Sequence, residues 1–358
     1  SIDLTVQSAL EEALYGGMRL MNAKGASAVL MDAYSGEIVS LSSLPDFDPN
    51  NRPRPLTQGD ASDSALFNRA VQGVYELGSV FKAFTVAQAM DLALVEPDSI
   101  VDTKGPLRWG KHKISDYRDY GAQMSVEKVL IKSSNIGTAR LSLMIGADLQ
   151  KDFLDRLGLL QATPIEVIEG PTGRPQYPSN WSDISTMTIS YGHGISTSPV
   201  HLAAGYAVMV NGGTLVKPTV LKQPSAPLGE RIISEETSRH LRSIMRRVVT
   251  EGTARMGDVP GYSVAGKTGT ADKPSPQGGY YSDKVLATFA SFFPSTDPCF
   301  VLIVTLDEPE DRSGPEPRRT AGATAVPVAA EIIRRVAPLL GLAPEIEPTL
   351  QNGLTLAN

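Results

Sequence analysis

One cysteine, Cys299, stands in 358 residues, so no internal disulfide can form. Its setting, "CFVLIVTL", predicts a buried strand thiol rather than a reactive one. Histidine is also scarce: the four, at 112, 193, 201 and 240, have no metal-ligand spacing, and neither metal nor cofactor is expected. Basic charge is outweighed, with 33 Lys+Arg against 39 Asp+Glu and a net charge of −6, which argues against nucleic acid as a partner. The one basic cluster, Arg246-Arg247, lies in a helical pattern and reads as a solvated face. No apolar run reaches the ~18 residues needed to cross a bilayer. Ser1 carries neither an initiating methionine nor a signal-like segment. The chain therefore reads as trimmed, with any anchor or export signal expected upstream.

What is present supports a large core. Hydrophobic residues make up 41%, alongside 32 glycines, the apolar share of an ordinary globular chain. Length alone allows two domains at about 150 residues each. No internal repeat and no low-complexity linker marks a boundary, so residues 1–342 are expected to be one domain, with 343–358 a peripheral proline-rich tail. Residues 3–22 have helical apolar spacing after an Asp3 or Thr5 cap. "ASAVLMDAYSGEIVSLSSL" predicts a hairpin around Ser35-Gly36, and "PDFDPNNRPRPLTQGDASDS" a polar loop. Helices are expected at about 79–94, 125–144, in "DLQKDFLDRLGL", in "SPVHLAAGYAVMVNGG" before Gly212-Gly213, at 234–250 and at 325–340. "TLVKPTVL" suggests a strand, as do runs near 262–271, 285–293 and 299–306. Helices in the middle with antiparallel strands at both ends predict an α+β class: an antiparallel β-sheet flanked by helices, with a mainly helical subdomain.

The stretch "GYSVAGKTGT", Gly261 to Thr270, can be read in two ways. From Gly261 it spells the G-x-x-x-x-G-K-T of a phosphate-cradling P-loop, and "VLIVTLDE" mimics a partner strand ending in acidic residues. A P-loop needs a strand before the loop and a helix starting at the Lys-Thr. Here the 234–250 segment upstream is helical, and "GTADKPSPQGGYYSD" downstream carries glycines and prolines that disfavour a helix start. Both flanks count against the nucleotide reading.

From Lys267 the same stretch spells Lys-Thr-Gly-Thr. "ELGSVFKAF" places Ser79 and Lys82 three residues apart at a helix start, on one face. A serine becomes nucleophilic when a base stands beside it, and lysine serves as that base once desolvation or a nearby cation lowers its proton affinity. A helix N-terminus also favours a developing oxyanion. Ser125-Val-Glu-Lys128 has the same spacing but reads as an N-cap with Glu127 in the first turn. "KSSNIG" adds Ser133-Ser134-Asn135. Each motif is weak alone; the order is specific. Ser133 lies 54 positions after Ser79, and Lys267 lies 134 after Ser133.

This ordered set, S-x-x-K, S-x-N and K-T-G, resembles the penicillin-binding protein and serine β-lactamase superfamily. It is most similar to the class B penicillin-binding proteins, the monofunctional peptidoglycan D,D-transpeptidases, along nearly the whole chain. "VLMDAYSGEIVSLSSLPDFDPN", "NRAVQGVYELGS", "YGHGISTSPVHLAAGYAVMVNGG" and "AGKTGTA" add to the likeness; "LDEPED" and "TAGATAVPVAAEIIRR" resemble the septal, cell-division type. The resemblance implies that Ser79 attacks the carbonyl between two terminal D-alanines and that Lys82 takes its proton. It further implies that Ser133 relays a proton to the leaving amine and that Asn135 holds the acyl amide. Lys267 would supply positive potential, while Thr268 and Thr270 grip the substrate carboxylate. Gly269 would leave the strand edge open, and the N–H groups of Ser79 and Thr270 would form an oxyanion hole. Stem peptides and β-lactams are the implied ligands. The implied partners are a membrane glycosyltransferase and other division proteins, with a periplasmic catalytic domain on an inner-membrane anchor. Leu77 departs from the proline often found there.

The alternatives are a β-lactamase, a penicillin sensor or a P-loop NTPase. "EVIE", Glu166 to Glu169, lacks the Glu-x-x-Leu-Asn spacing that a deacylating β-lactamase of class A implies. "KISDYRDYG" reads as a charged surface loop rather than a cleft wall. His193 reads as a loop-orienting residue, Glu76 as a loop carboxylate, and Trp109 and Trp181 as packing anchors.

Overall fold

The computed structural model describes residues 1–163, 165–226 and 229–345. Asp3 accepts the backbone N–H groups of Thr5 and Val6 and so starts helix α1 (Leu4–Leu20). Strands β1 (Gly25–Asp32) and β2 (Ile38–Leu44) pair antiparallel around Gly36, as the hairpin reading expects. Gly36 has φ +76°, and a Cβ there would sit 2.1 Å from the Lys217 carbonyl oxygen. After a loop comes a short 3₁₀ turn, Gly78–Phe81, leading into helix α2 (Lys82–Asp91). Two small antiparallel ribbons follow. One pairs β3 (Ile100–Asp102) with β6 (Gln123–Ser125), and the other pairs β4 (Leu107–Trp109) with β5 (His112–Ile114).

Helices α3 (Val126–Lys132) and α4 (Asn135–Ile145) replace the single helix expected over 125–144. The apolar spacing continues across the break, but Ser133 adopts φ 63°, ψ 44° and Ser134 caps α4 by accepting from Gly137 N–H. Ser125 is the N-cap of α3, as read from sequence. Next come α5 (Ala147–Arg156), α6 (Asp183–Ile189), α7 (Pro199–Val210) and α8 (Glu235–Thr250). "TLVKPTVL" is not a strand: it makes only single bridges, Thr214 to Arg231 and Thr219 to Glu37. Pro218 lacks the N–H a ladder needs. Strands β7 (Ala265–Pro274), β8 (Tyr280–Phe293) and β9 (Phe300–Asp307) precede helix α9 (Ala325–Leu339).

The main sheet has the order β2-β1-β9-β8-β7, all antiparallel, so the N-terminal hairpin joins the C-terminal strands. Helices α1 and α9 pack together on it, while α7 and α8 also contact the sheet. Helix α7 is buried along its whole length, which only a helix apolar all round tolerates. It links the sheet to α2: Phe84 meets Tyr206 edge-on at 5.6 Å, and Tyr206 Oη donates to the Val80 carbonyl at 2.8 Å. That bond fixes the end of the 3₁₀ turn carrying Ser79.

Leu342 packs against the core, and Glu345 N–H donates to Gly261 O at 2.7 Å; the rest of the expected tail, 346–358, lies outside the described residues. Cys299 sits one residue before β9 and is half-buried, so it is not the core strand thiol expected. Trp109 is 40% exposed rather than an anchor, whereas Trp181 is half-buried and donates Nε1–H to Gln150. Arg246 and Arg247 are not bare: they pair with Asp258 and with Glu127 and Glu251.

Candidate active site

Strand β7 is the edge of the sheet, and the turn holding Ser79 lies directly against it. A Cβ on Gly269 would stand 2.1 Å from the Leu77 carbonyl oxygen, and one on Gly78 would stand 2.8 Å from that of Thr270. The missing side chain of Gly269 thus faces the serine-bearing turn, which is what makes glycine necessary at that position. Gly78 adopts φ +63°, a conformation glycine reaches without steric cost.

Two amines are fully buried here: Lys82, which opens α2, and Lys267, within β7. Lys82 Nζ donates to Ser133 O at 2.6 Å and to Ser133 Oγ at 3.1 Å, and Lys267 Nζ donates to the same Oγ at 2.9 Å. Among the described residues, no hydrogen bond of Lys82 runs to Ser79, the partner that the S-x-x-K spacing suggests. The left-handed backbone of Ser133 turns both its carbonyl and its hydroxyl to Lys82. Such a conformation in a non-glycine residue costs about 1–3 kcal/mol.

Burial, then the neighbouring Lys267 ammonium, holds the Lys82 amine well below the usual lysine value, against an upward pull from Asp116. Burial pushes Lys267 down to about 7. Each amine is therefore more easily neutral than a surface lysine.

Helix α4 begins at Asn135, which is half-buried and donates Nδ2–H to Ser115 O at 3.0 Å. Asp116 accepts from Ser134 Oγ–H at 2.7 Å, Asn135 N–H at 2.6 Å and Ile136 N–H at 3.0 Å. It thereby holds the Ser133–Asn135 corner. "KISDYRDYG" is thus not a detached surface loop: Ser115, Asp116, Arg118 and Tyr120 line a cleft of about 210 Å³ bordered by Ile136. No spacing rule singles out Asp116 among its charged neighbours, which is why its part was missed.

Thr268 shares a hydroxyl–hydroxyl bond of 2.6 Å with Thr253. The exposed Thr270 accepts Ala321 N–H on Oγ1 at 3.0 Å, leaving its own proton free to donate. Lys267 and Thr268 sit inside β7 with no helix beginning there, so the local context a P-loop requires is missing. Among the described residues, no cluster of His, Cys, Asp and Glu could hold a metal ion.

An antiparallel sheet whose edge strand meets the Ser79 turn, with buried Lys82 and Lys267 both bonded to Ser133, is not a nucleotide-binding arrangement. The chain belongs to the penicillin-binding protein transpeptidase domain family, whose model matches residues 26–334. It is 36% identical over 352 residues to a probable peptidoglycan D,D-transpeptidase FtsI of Caulobacter vibrioides, covering 96% of this chain and 58% of that protein. It is 30% identical over 347 residues to the peptidoglycan D,D-transpeptidase FtsI of Escherichia coli K12, covering 96% of this chain and 56% of that one. The chain thus spans little more than half the length of these relatives. The solved transpeptidase domain of Burkholderia pseudomallei penicillin-binding protein 3 is similar over 97% of both chains, with a TM-score of 0.84 and 30% identity.

Proposed function

We propose that residues 1–342 form the catalytic domain of a division-type peptidoglycan D,D-transpeptidase acting through a serine acyl-enzyme. The observation that carries this is the Ser133 hydroxyl, held by two fully buried amines of lowered proton affinity. Family membership gives the reaction class, and the residues supply the steps.

Ser79 Oγ attacks the carbonyl carbon of the penultimate D-alanine in a stem peptide, and its proton passes to neutral Lys82. The carbonyl π electrons move onto oxygen. That oxyanion is met by the N–H groups of Ser79 and Thr270, each donor worth roughly 3 kcal/mol in such sites. First-turn N–H groups of a helix have no intrahelical acceptor and are free for this task. The C–N bond then breaks. Its electron pair takes a proton delivered through Ser133, and D-alanine leaves as the amine. Asn135 orients the acyl amide, while Lys267 with the Thr268 and Thr270 hydroxyls holds the terminal carboxylate. An amine from a second stem peptide attacks the ester, forms the crosslink and restores Ser79. β-Lactams enter by the same attack, and the opened ring stays on the serine.

No helix among the described residues is long and apolar enough to cross a membrane. The polymer that is crosslinked lies outside the cytoplasmic membrane, so the domain is proposed to work there. By resemblance it would work beside a membrane glycosyltransferase and other division proteins. A fluorescent penicillin labels the wild type covalently and persistently, with the adduct on Ser79 by peptide mass spectrometry, and does not label Ser79→Ala. Rapid nitrocefin turnover by the wild type would replace this reading with a β-lactamase.

A further inference from the structure

Glu76 lies three residues before Ser79, with its side chain only 10% exposed. It accepts Gly194 N–H at 2.8 Å and the Tyr280 hydroxyl at 3.0 Å on Oε1, and His193 Nδ1 stands 3.2 Å from Oε2. Three segments meet at this carboxylate: the approach to the serine turn, the 191–194 loop and the start of β8. The loop in turn touches the turn itself. Gly78 N–H donates to Gly192 O at 3.3 Å, and a Cβ on Gly192 would lie 2.1 Å from Gly78 O. Aromatic contacts brace the imidazole, with ring centroids 6.5 Å from Tyr191 and 5.0 Å from Tyr280.

We propose that Glu76 and His193 are positioning residues for acylation: their ion pair clamps the 191–194 loop onto the Gly78–Ser79 turn, with Tyr280 tying both to the β7–β8 hairpin. This rests on the transpeptidase reading given above. Neither residue has to touch substrate. A largely buried carboxylate bridging a loop N–H and an imidazolium fixes the backbone on which the nucleophile stands, through charge-assisted bonds stronger than neutral ones.

The clamp carries a pH signature. The groups facing His193 are Glu76 ahead of the turn, Tyr191 beside it, Tyr280 on β8 and Asp272 on β7. The Glu76 hydrogen bond raises the imidazole above its usual value, against burial, with Glu76 and Asp272 charge adding to the rise. The clamp is therefore fully charged below the ordinary imidazole value and weakens as pH climbs through the raised one. Lys82 and Lys267 titrate as well, so the informative quantity is a ratio between proteins at each pH.

The test is the second-order rate of acylation by a fluorescent penicillin for wild type, His193→Ala, His193→Gln and Glu76→Gln, from about pH 5.5 to 8.5, a span that brackets the imidazole range. At the acid end, the wild type is expected to react between about tenfold and a hundredfold faster than each variant, the cost of misplacing a reacting group by around 1 Å. That ratio should shrink as pH rises, with Ser79 still the labelled residue. His193→Gln, which keeps a donor but no charge, should follow His193→Ala in pH dependence and lose less rate. Thermal melts accompany each protein; if one variant fails to fold, the others give the same ratio. A wild type that labels normally, with a ratio near one or flat across pH, overturns the clamp alone. A wild type that does not label removes the transpeptidase reading and this proposal with it.

Discussion

Gly269→Ala adds one methyl group where the structure has no room. The new Cβ would lie 2.1 Å from the Leu77 carbonyl oxygen, 3.0 Å from Val80 Cγ1 and 3.2 Å from Val80 N, where ordinary contact starts at 3.4 Å. Turn and strand must therefore separate by about 1.3 Å. Strand β7 is the stiffer side, paired with β8 from Ala265 to Asp272. The turn is held by Tyr206 at Val80 O and by Gly192 at Gly78. Whichever yields, Ser79 shifts relative to Lys267 and Ser133. Misplacement of around 1 Å costs on the order of a hundredfold in rate, and inserting a methyl into a packed site costs about 1–3 kcal/mol of stability. Gly269 is not at positive φ, so backbone strain adds nothing. Stopped-flow acylation of Gly269→Ala should show a drop of about a hundredfold, with the adduct still on Ser79. A wild-type rate in a folded variant would refute the close turn–strand contact as the source of Ser79's placement.

Two further outcomes follow from the same geometry. Asp116→Ala removes the acceptor for Ser134 Oγ–H and for the Asn135 and Ile136 N–H groups. It should cost about 1–2 kcal/mol, the scale of a lost helix cap, and slow penicillin labelling; urea melts with unchanged stability would count against it. Lys267→Met should be more stable than the wild type in acid, though unable to acylate. The folded lysine loses its proton near 7 while the unfolded one keeps it up to the usual value of 10.5. Above 7 the unfolded chain thus binds more protons, and wild-type stability rises with pH. The melting advantage of Lys267→Met should be largest below pH 7 and shrink toward 10; a constant gap would contradict the buried-charge account.

Most of the frame was legible because local rules carried it. The Asp3 cap, the hairpin around Gly36, the Ser234-capped helix α8 and the final helix all follow from caps, periodicity and turn residues close in sequence. The spacing of Ser79, Lys82, Ser133 and Lys267 singled these residues out, since no local reading explained all three motifs together, and both lysines do meet at Ser133. What escaped was non-local. The split between α3 and α4 left the apolar spacing intact, so periodicity ran straight through Ser133 and Ser134. Asp116 acts through backbone N–H groups that carry no residue code. Glu76 and His193 are 117 positions apart, and nothing in either segment announces the other. Gly269 was read as an opening for substrate, because only coordinates show the Leu77 carbonyl behind it.

Strand β1, inside the sheet, takes its two neighbours from distant stretches of sequence: β2 just after it, and β9 only at residues 300–307. On a ribosome the hairpin emerges well before the partner for its other edge. Throughout elongation, the hydrogen-bonding rim of Ala28 to Met31 is a bare template for any foreign strand. Closing so long a loop also makes the pairing intrinsically slow. The sheet bearing Lys267 can therefore close only once residues 300–307 have been made and have travelled back to the hairpin.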